Sequence, residues 1–240
     1  MFQFIGDFFN IFLYKPLFNS LVLFYNYIPG HDFGIAIIIL TLLIKLVLYP
    51  LSLQAFKSQK VLQDLQPKIK QLQEKYKNDK EKLALETLEL YKKEKINPFS
   101  GLFLGLIQLP ILIALYQVFW QGLKPEQLSN LYSFIINPNN INPIFLGIVD
   151  LSKPNLYFAI IAGILQYYQT KMVSSANKVD KAKNDIAQAM QTQMLYVFPI
   201  ITVIILMTLP SALGLYWIAS SIFSIVQQYY ILKSTHKDGN

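Results

Sequence analysis

The chain has 240 residues, 53% hydrophobic and 15% charged, with a net charge of +7 in which every basic residue is a lysine. Soluble domains average about 25% charged residues, and the shortfall here is uneven. Seven of the 14 acidic residues lie between Asp64 and Glu94, and eleven lysines lie between Lys57 and Lys95. The rest is nearly charge-free, which excludes a soluble fold and points to a polytopic all-α membrane protein, since about 20 apolar residues cross ~30 Å of hydrocarbon. Zero cysteines exclude a disulfide framework, a Cys-ligated zinc, an iron–sulfur cluster and a thiol nucleophile. Two histidines, His31 and His236, cannot form a His-rich metal site, so no cofactor is expected.

Residues 1–30 are aromatic and apolar, interrupted by Asp7 and Lys15. The uncharged run from Pro16 to Ile28 covers only ~20 Å as a helix, so an amphipathic helix along the outer membrane surface is expected, with a full crossing as the alternative. Residues 31–50 form span one, with a single charge at Lys45. Residues 51–98 change character: Val61, Leu62, Leu65, Ile69, Leu72 and Tyr76 recur at helical spacing, and Leu83, Leu88 and Tyr91 continue the stripe past Asn78-Asp79. Two amphipathic helices folded back at that polar turn would bury their facing stripes.

Residues 99–122 form a charge-free span two containing Gln108 and Pro110. Residues 123–154 read as an outer loop, with breakers at Asn137-Pro138-Asn139-Asn140 and Asn142-Pro143. Span three covers 155–172, and 173–193 is a polar linker. Leu209-Pro210-Ser211 divides the last apolar stretch into span four (194–209) and span five (211–232), joined by a tight hairpin, and 233–240 form a tail. The hairpin, residues 171–193 and the tail together hold 17 lysines, against three (Lys15, Lys124, Lys153) on the opposite side. This asymmetry predicts a cytoplasmic hairpin and C-terminus, with the N-terminus outside.

An ionisable group within a span costs roughly 2.5–3.5 kcal/mol on insertion scales and usually faces protein interior or water. Lys45 is such a group, yet it lies only five residues before Pro50, within reach of the inner boundary for a snorkelling stem. Topology alone leaves the two readings even. Thr41, one turn earlier, shares its helix face. Gln108, Gln169, Thr202, Ser220, Ser221, Ser224, Gln227 and Gln228 add polar groups to other spans. Taken singly they suit helix–helix hydrogen bonding; together with Lys45 they would line a cavity if the spans surround one.

No Asp or Glu lies in an expected span, which disfavours a proton relay. There is no Walker loop, and nothing pairs a nucleophile with a base, so neither an ATP motor nor an enzyme is expected. A small-solute transporter or channel and a passive assembly scaffold remain as rival classes.

The stretch Ser58-Gln59-Lys60, Leu65-Gln66-Pro67-Lys68-Ile69, Leu72, Glu74-Lys75-Tyr76, Asp79, Lys82-Leu83, Glu86, Leu90-Tyr91-Lys92, Asn97-Pro98, Gly101, Gln108, Pro110-Ile111 and Leu115-Tyr116 resembles the YidC/Oxa/Alb membrane protein insertases. Upstream Lys15-Pro16-Leu17-Phe18 and Tyr49-Pro50-Leu51 fit, as do downstream Asp150-Leu151-Ser152, Phe198-Pro199, Pro210-Ser211, Leu213, Leu215-Tyr216-Trp217 and Gln227-Gln228. The resemblance implies five transmembrane helices around a hydrophilic groove open to cytoplasm and lipid. It also implies insertion of nascent membrane proteins into a bacterial plasma membrane, alone or with the Sec translocon, with the ribosome as a further partner. The family's groove cation falls at Lys45, where most bacterial members carry Arg, and Thr41, Gln108, Gln169 and Trp217 match other groove-lining positions.

Overall fold

The computed structural model describes residues 2–94, 100–121, 124–174 and 193–237. These residues are overwhelmingly helical, and among them the only strand pairing is a two-residue antiparallel ladder in the loop after the second long apolar helix.

Helix α1 (Phe2–Phe9), a π-helical turn (Asn10–Tyr14) and α2 (Lys15–Tyr27) follow one another without interruption. The stripe Tyr14, Phe18, Leu21, Val22 and Tyr25 is buried against α3 (Phe33–Val47) and α7 (Ser100–Gln121), while Phe8, Ile11 and Phe12 stay exposed. The sequence reading began its uncharged run at Pro16. The helix in fact continues back through Lys15, so Gly6–Tyr27 is long and apolar enough to cross a membrane by length and composition.

Asp32 starts α3 by accepting from the Ile35 amide at 2.9 Å, and its second oxygen accepts from Leu146 at 2.6 Å in the outer loop. Helix α3 then bends by 63° into α4 (Tyr49–Asp64). The cause is Pro50, which has no N–H for the Leu46 carbonyl and whose ring crowds that turn.

Pro67 produces a second break, so α5 (Gln66–Lys75) is separate from α4. Helix α6 (Lys80–Lys93) folds back onto α5, its first turn capped by Asp79 accepting from the Lys82 amide at 2.9 Å. Three helices thus occupy the stretch in which sequence periodicity indicated two. Tyr76 donates to Glu86 across the hairpin at 3.1 Å, and Lys75 and Lys82 lie over its ring. Leu88 does not continue the buried stripe. It is 52% exposed, because the partly buried face of α6 runs through Leu83, Thr87, Leu90 and Tyr91.

Helices α7, α8 (Leu156–Ser174), α9 (Phe198–Leu206, preceded by a π turn at Gln193–Val197) and α10 (Ser211–Lys237) complete the bundle. Helix α8 packs against both α9 and α10 through small residues. Ala159 and Ala162 are buried, a Cβ on Gly163 would stand 2.4 Å from Val203 Cγ2, and one on Gly214 would meet Phe158. Small residues let backbones approach where lipid provides no hydrophobic drive.

The outer loop is built rather than loose. Its strands β1 (Ile144–Phe145) and β2 (Val149–Asp150) turn through Leu146 and Gly147, both at positive φ. Phe145 lies directly on Gly34, where a Cβ would come within 2.1 Å of the ring. Further on, the Lys153 and Leu151 carbonyls accept from the amides of Ser211 and Ala212 at 2.9 and 3.0 Å, capping the start of α10. Asp150 accepts from the Ser152 hydroxyl at 2.5 Å and the Ser152 amide at 3.0 Å, and pairs with Lys153 at 3.0 Å.

The bundle's outside is apolar. Ile160, Ile161 and Ile164 on α8, Ile200, Ile201, Ile204 and Ile205 on α9, and Leu109 and Ile113 on α7 are all exposed. Such a belt fits contact with lipid tails. The linker 175–192, Phe99, Gly122 and residues 238–240 lie outside the described residues.

Two outcomes follow. Gly163→Ala should lower the melting temperature in detergent, by about 1–3 kcal/mol of overpacking, and adding Val203→Ala should recover part of the loss. The Ser152 hydroxyl holds the Asp150 carboxyl below its usual value against the next largest effect, the opposing one of burial, with Lys153 and the Ser152 amide adding lesser lowering contributions. A depressed carboxylate stabilises the loop above the usual pKa, and that support is lost as pH falls through the folded value. Hydrogen-exchange protection factors of residues 143–153, corrected for the intrinsic rate at each pH, should therefore hold steady above about pH 5 and fall below about pH 4, and Asp150→Asn should abolish that pH dependence.

Candidate functional site

Tyr216, Ser220, Ser224 and Gln227 recur on α10 at intervals of three and four residues, so they stack on one helix face. They span about 16 Å along the axis at 1.5 Å per residue. Tyr216, Ser224, Gln227 and neighbouring Gln228 are buried, and Ser220 is half-buried. Three other helices meet this polar ladder. From α7, the Gln108 amide donates to the Tyr216 hydroxyl. From α3, the Lys45 ammonium donates to Ser224 Oγ at 3.2 Å.

From α4, Ser52 meets Gln227, whose Nε2 donates to Ser52 Oγ at 2.8 Å. Ser52 Oγ is also 2.9 Å from the Tyr49 carbonyl and 3.2 Å from Gln227 Oε1. One hydroxyl proton serves only one of these, so it goes to the nearer carbonyl while the amide makes the interhelical bond. Gln228 Oε1 is buried without a partner.

The residues singled out from sequence fall into two groups. Lys45 and Gln108 are brought to the ladder, and Trp217 adjoins it on α10. Thr41 lies one turn above Lys45, buried, and its hydroxyl turns back to the Ile37 carbonyl at 2.7 Å, as interior threonines commonly do. Gln169 is half-buried on α8 and enters none of these bonds. The Trp217 indole donates instead to Gln166, one turn earlier, at 3.2 Å. Thr202 and Ser221 are buried outside the ladder's hydrogen bonds.

Sequence reasoning passed over Tyr216, Ser52 and Gln166. Tyr216 enters the sequence analysis only within the Leu215-Tyr216-Trp217 match, and Ser52 lies beyond the expected end of span one. Its spacing of seven residues from Lys45, two helical turns, was the available signal.

Chemically, the ladder offers hydroxyl and amide groups plus one ammonium inside an apolar shell. No cluster of metal-ligating side chains occurs among the described residues. The arrangement can hydrogen-bond a polypeptide and attract negative charge.

A family model described as 60Kd inner membrane protein matches residues 23–238, nearly the whole chain. The chain belongs to the 60Kd inner membrane protein family. Within that family it is similar to the membrane protein insertase YidC of Fusobacterium nucleatum, with 36% identity over 202 residues, or 84% of this chain and 87% of that protein. The YidC of Syntrophus aciditrophicus is 39% identical over 223 residues and that of Geobacter sulfurreducens 36% over 224. Each covers 92% of this chain, which corresponds to 36% and 37% of those longer proteins. This 60Kd-family chain thus spans most of the first relative and little more than a third of the other two.

The Ser52–Gln227 contact is testable directly. In a cycle of Ser52→Ala, Gln227→Leu and the double variant, thermal stability should show coupling of about 1 kcal/mol, with Ser52→Ala alone the costlier single change because it strands a buried amide.

Proposed function

We propose that the chain is a membrane protein insertase of the bacterial inner membrane, which receives newly made hydrophobic segments from the cytoplasm and passes them into lipid along the polar face of α10. The observation that carries this reading is the Lys45 ammonium, set within an apolar belt and held by a neutral serine at 3.2 Å. Its hydrogen-bond partner there is a neutral hydroxyl, so no carboxylate competes at that contact with an incoming acidic group. In this reading α3, α7, α8, α9 and α10 are the five spans, and the ladder lines a groove open to cytoplasm and lipid.

The bonding of the outer loop supports closure on the far side. Tyr14, Asn19, Tyr25 and Asn26 on the first helix hold Gln127, Asn130, Tyr132, Ile136 and Asn142 of the loop. These clamps run along about 18 Å of helix. A helix crossing the membrane would meet an outer loop only at one end, so the first helix lies along the outer surface. The lysine asymmetry then sets the N-terminus outside and the α5–α6 hairpin in the cytoplasm beneath the bend, where a ribosome or the Sec translocon would deliver substrate.

No bond is broken, so the work is lowering a transfer barrier. Each Leu, Ile, Phe or Val of a substrate gains roughly 0.3–0.6 kcal/mol at the bilayer centre, which over a whole span suffices without ATP. The obstacle is the polar flank that must cross. Tyr216, Ser220 and Gln227 offer hydrogen bonds partway, Lys45 attracts acidic flanks, and the membrane potential adds ~2.3 kcal/mol per charge per 100 mV for outward movement of negative segments. The exposed isoleucines of α8 and α9 offer the released segment a route to lipid. A transporter reading is disfavoured by the lack of acidic residues in these spans and by the insertase names of the similar proteins.

Proteoliposomes holding only this protein should protect the translocated tail of a short, freshly synthesised membrane protein from added protease. Lys45→Arg should retain that activity. Lys45→Glu, at equal reconstitution, should abolish it for substrates with acidic translocated tails, and normal insertion by the Glu variant would reject the attraction role.

A further inference from the structure

The bend between α3 and α4 is fastened to α10 on both sides. Lys45 bonds Ser224 before it, and Ser52 bonds Gln227 after it. Ser224 is 3% exposed, and its partner's long stem reaches it from the last turn of α3. A lysine has four rotatable bonds and three equivalent donors, so its position depends on what accepts from it. In the fold the acceptor contacting Lys45 is one hydroxyl, which aims the ammonium at the ladder without neutralising it.

We infer that Ser224 is the positioning residue that fixes the Lys45 ammonium on the α10 ladder as an uncompensated charge, and thereby sets the preference for substrates with acidic flanks. This rests on the insertase reading above and adds a residue with a distinct physical role. A carboxylate at this position would satisfy the ammonium internally and compete with the substrate. An alanine would leave its aim unspecified, and a threonine would preserve the hydroxyl. The neighbouring Ser52–Gln227 bond holds the far side of the bend in each case, so α4 and α10 remain joined.

The experiment compares Ser224→Asp, Ser224→Ala and Ser224→Thr in proteoliposomes containing the full chain. Two single-span substrates differ only in a translocated tail with two aspartates or two asparagines, and the readout is the ratio of acidic-tail to neutral-tail insertion. Ser224→Asp should lower that ratio about tenfold, the factor given by 1.4 kcal/mol of lost attraction. Ser224→Ala should lower it by a smaller factor, and Ser224→Thr should restore it.

A uniform fall for both substrates, or an unchanged ratio in the Asp and Ala variants, would overturn the assignment. Lys45→Glu run alongside separates the two readings. If it spares acidic-tail insertion, the role of Lys45 itself fails. If it blocks acidic tails while the Ser224 variants leave the ratio untouched, only the role of Ser224 fails. Should the Asp variant not reconstitute, the Ala-to-Thr comparison decides alone.

Discussion

Within hydrocarbon a polar side chain has no water to turn to, so each must find its partner in the protein. That constraint organises this bundle. Helix α10 carries Tyr216, Trp217, Ser220, Ser224, Gln227 and Gln228 through the apolar region, and its neighbours meet them: α7 brings Gln108 to Tyr216, α3 Lys45 to Ser224, α4 Ser52 to Gln227 and α8 Gln166 to Trp217. The hydrogen-bonding groups form a strip within an otherwise apolar interior, and isoleucines face outward. Each interhelical bond contributes only about 0.6 kcal/mol on average in membrane proteins. Position, more than summed energy, is what the ladder provides.

The bend at Pro50 belongs to the same scheme. A straight continuation of α3 would carry Ser52 along the axis set by Lys45. A turn of 63° redirects α4 toward the water-soluble hairpin while both residues remain on α10. Proline removes one backbone bond locally, and two side-chain bonds to a single neighbouring helix constrain where the two arms point. Lys45 is therefore located by packing, by the bend and by a hydroxyl, with no acidic partner needed to hold it.

Much of this was legible in the sequence because lipid imposes a coarse rule on composition. The charge distribution separated the hairpin from the apolar helices, Asn78-Asp79 marked its turn, and Lys45 and Gln108 stood out as polar groups where few are tolerated, while Trp217 entered through the family resemblance alone. What stayed hidden depended on tertiary partners. Ser52 followed a proline and looked like the start of a different segment. Gln166 and Gln169 are both glutamines near one end of α8, and only the rotation of α8 against α10 selects the former for Trp217. Leu88 continued a plausible stripe in a helix whose true phase is set by its packing on α5. Asp32 and Asn19 read as ordinary polar residues, yet each ties a helix to a loop more than 100 residues away.

Those two ties expose an asymmetry that bears on direction. At the loop end, Asn19, Asp32 and the capped start of α10 bind the first helix, α3 and α10 to one folded segment. At the opposite end of the ladder, Gln228 leaves a buried oxygen unpaired. That end is held by two side-chain bonds, Lys45 to Ser224 and Ser52 to Gln227, against the larger set of ties at the loop end. In the proposed orientation that end faces the cytoplasm, where the substrate arrives. Under the proposed insertase function, that asymmetry would favour entry of substrate from the inner face.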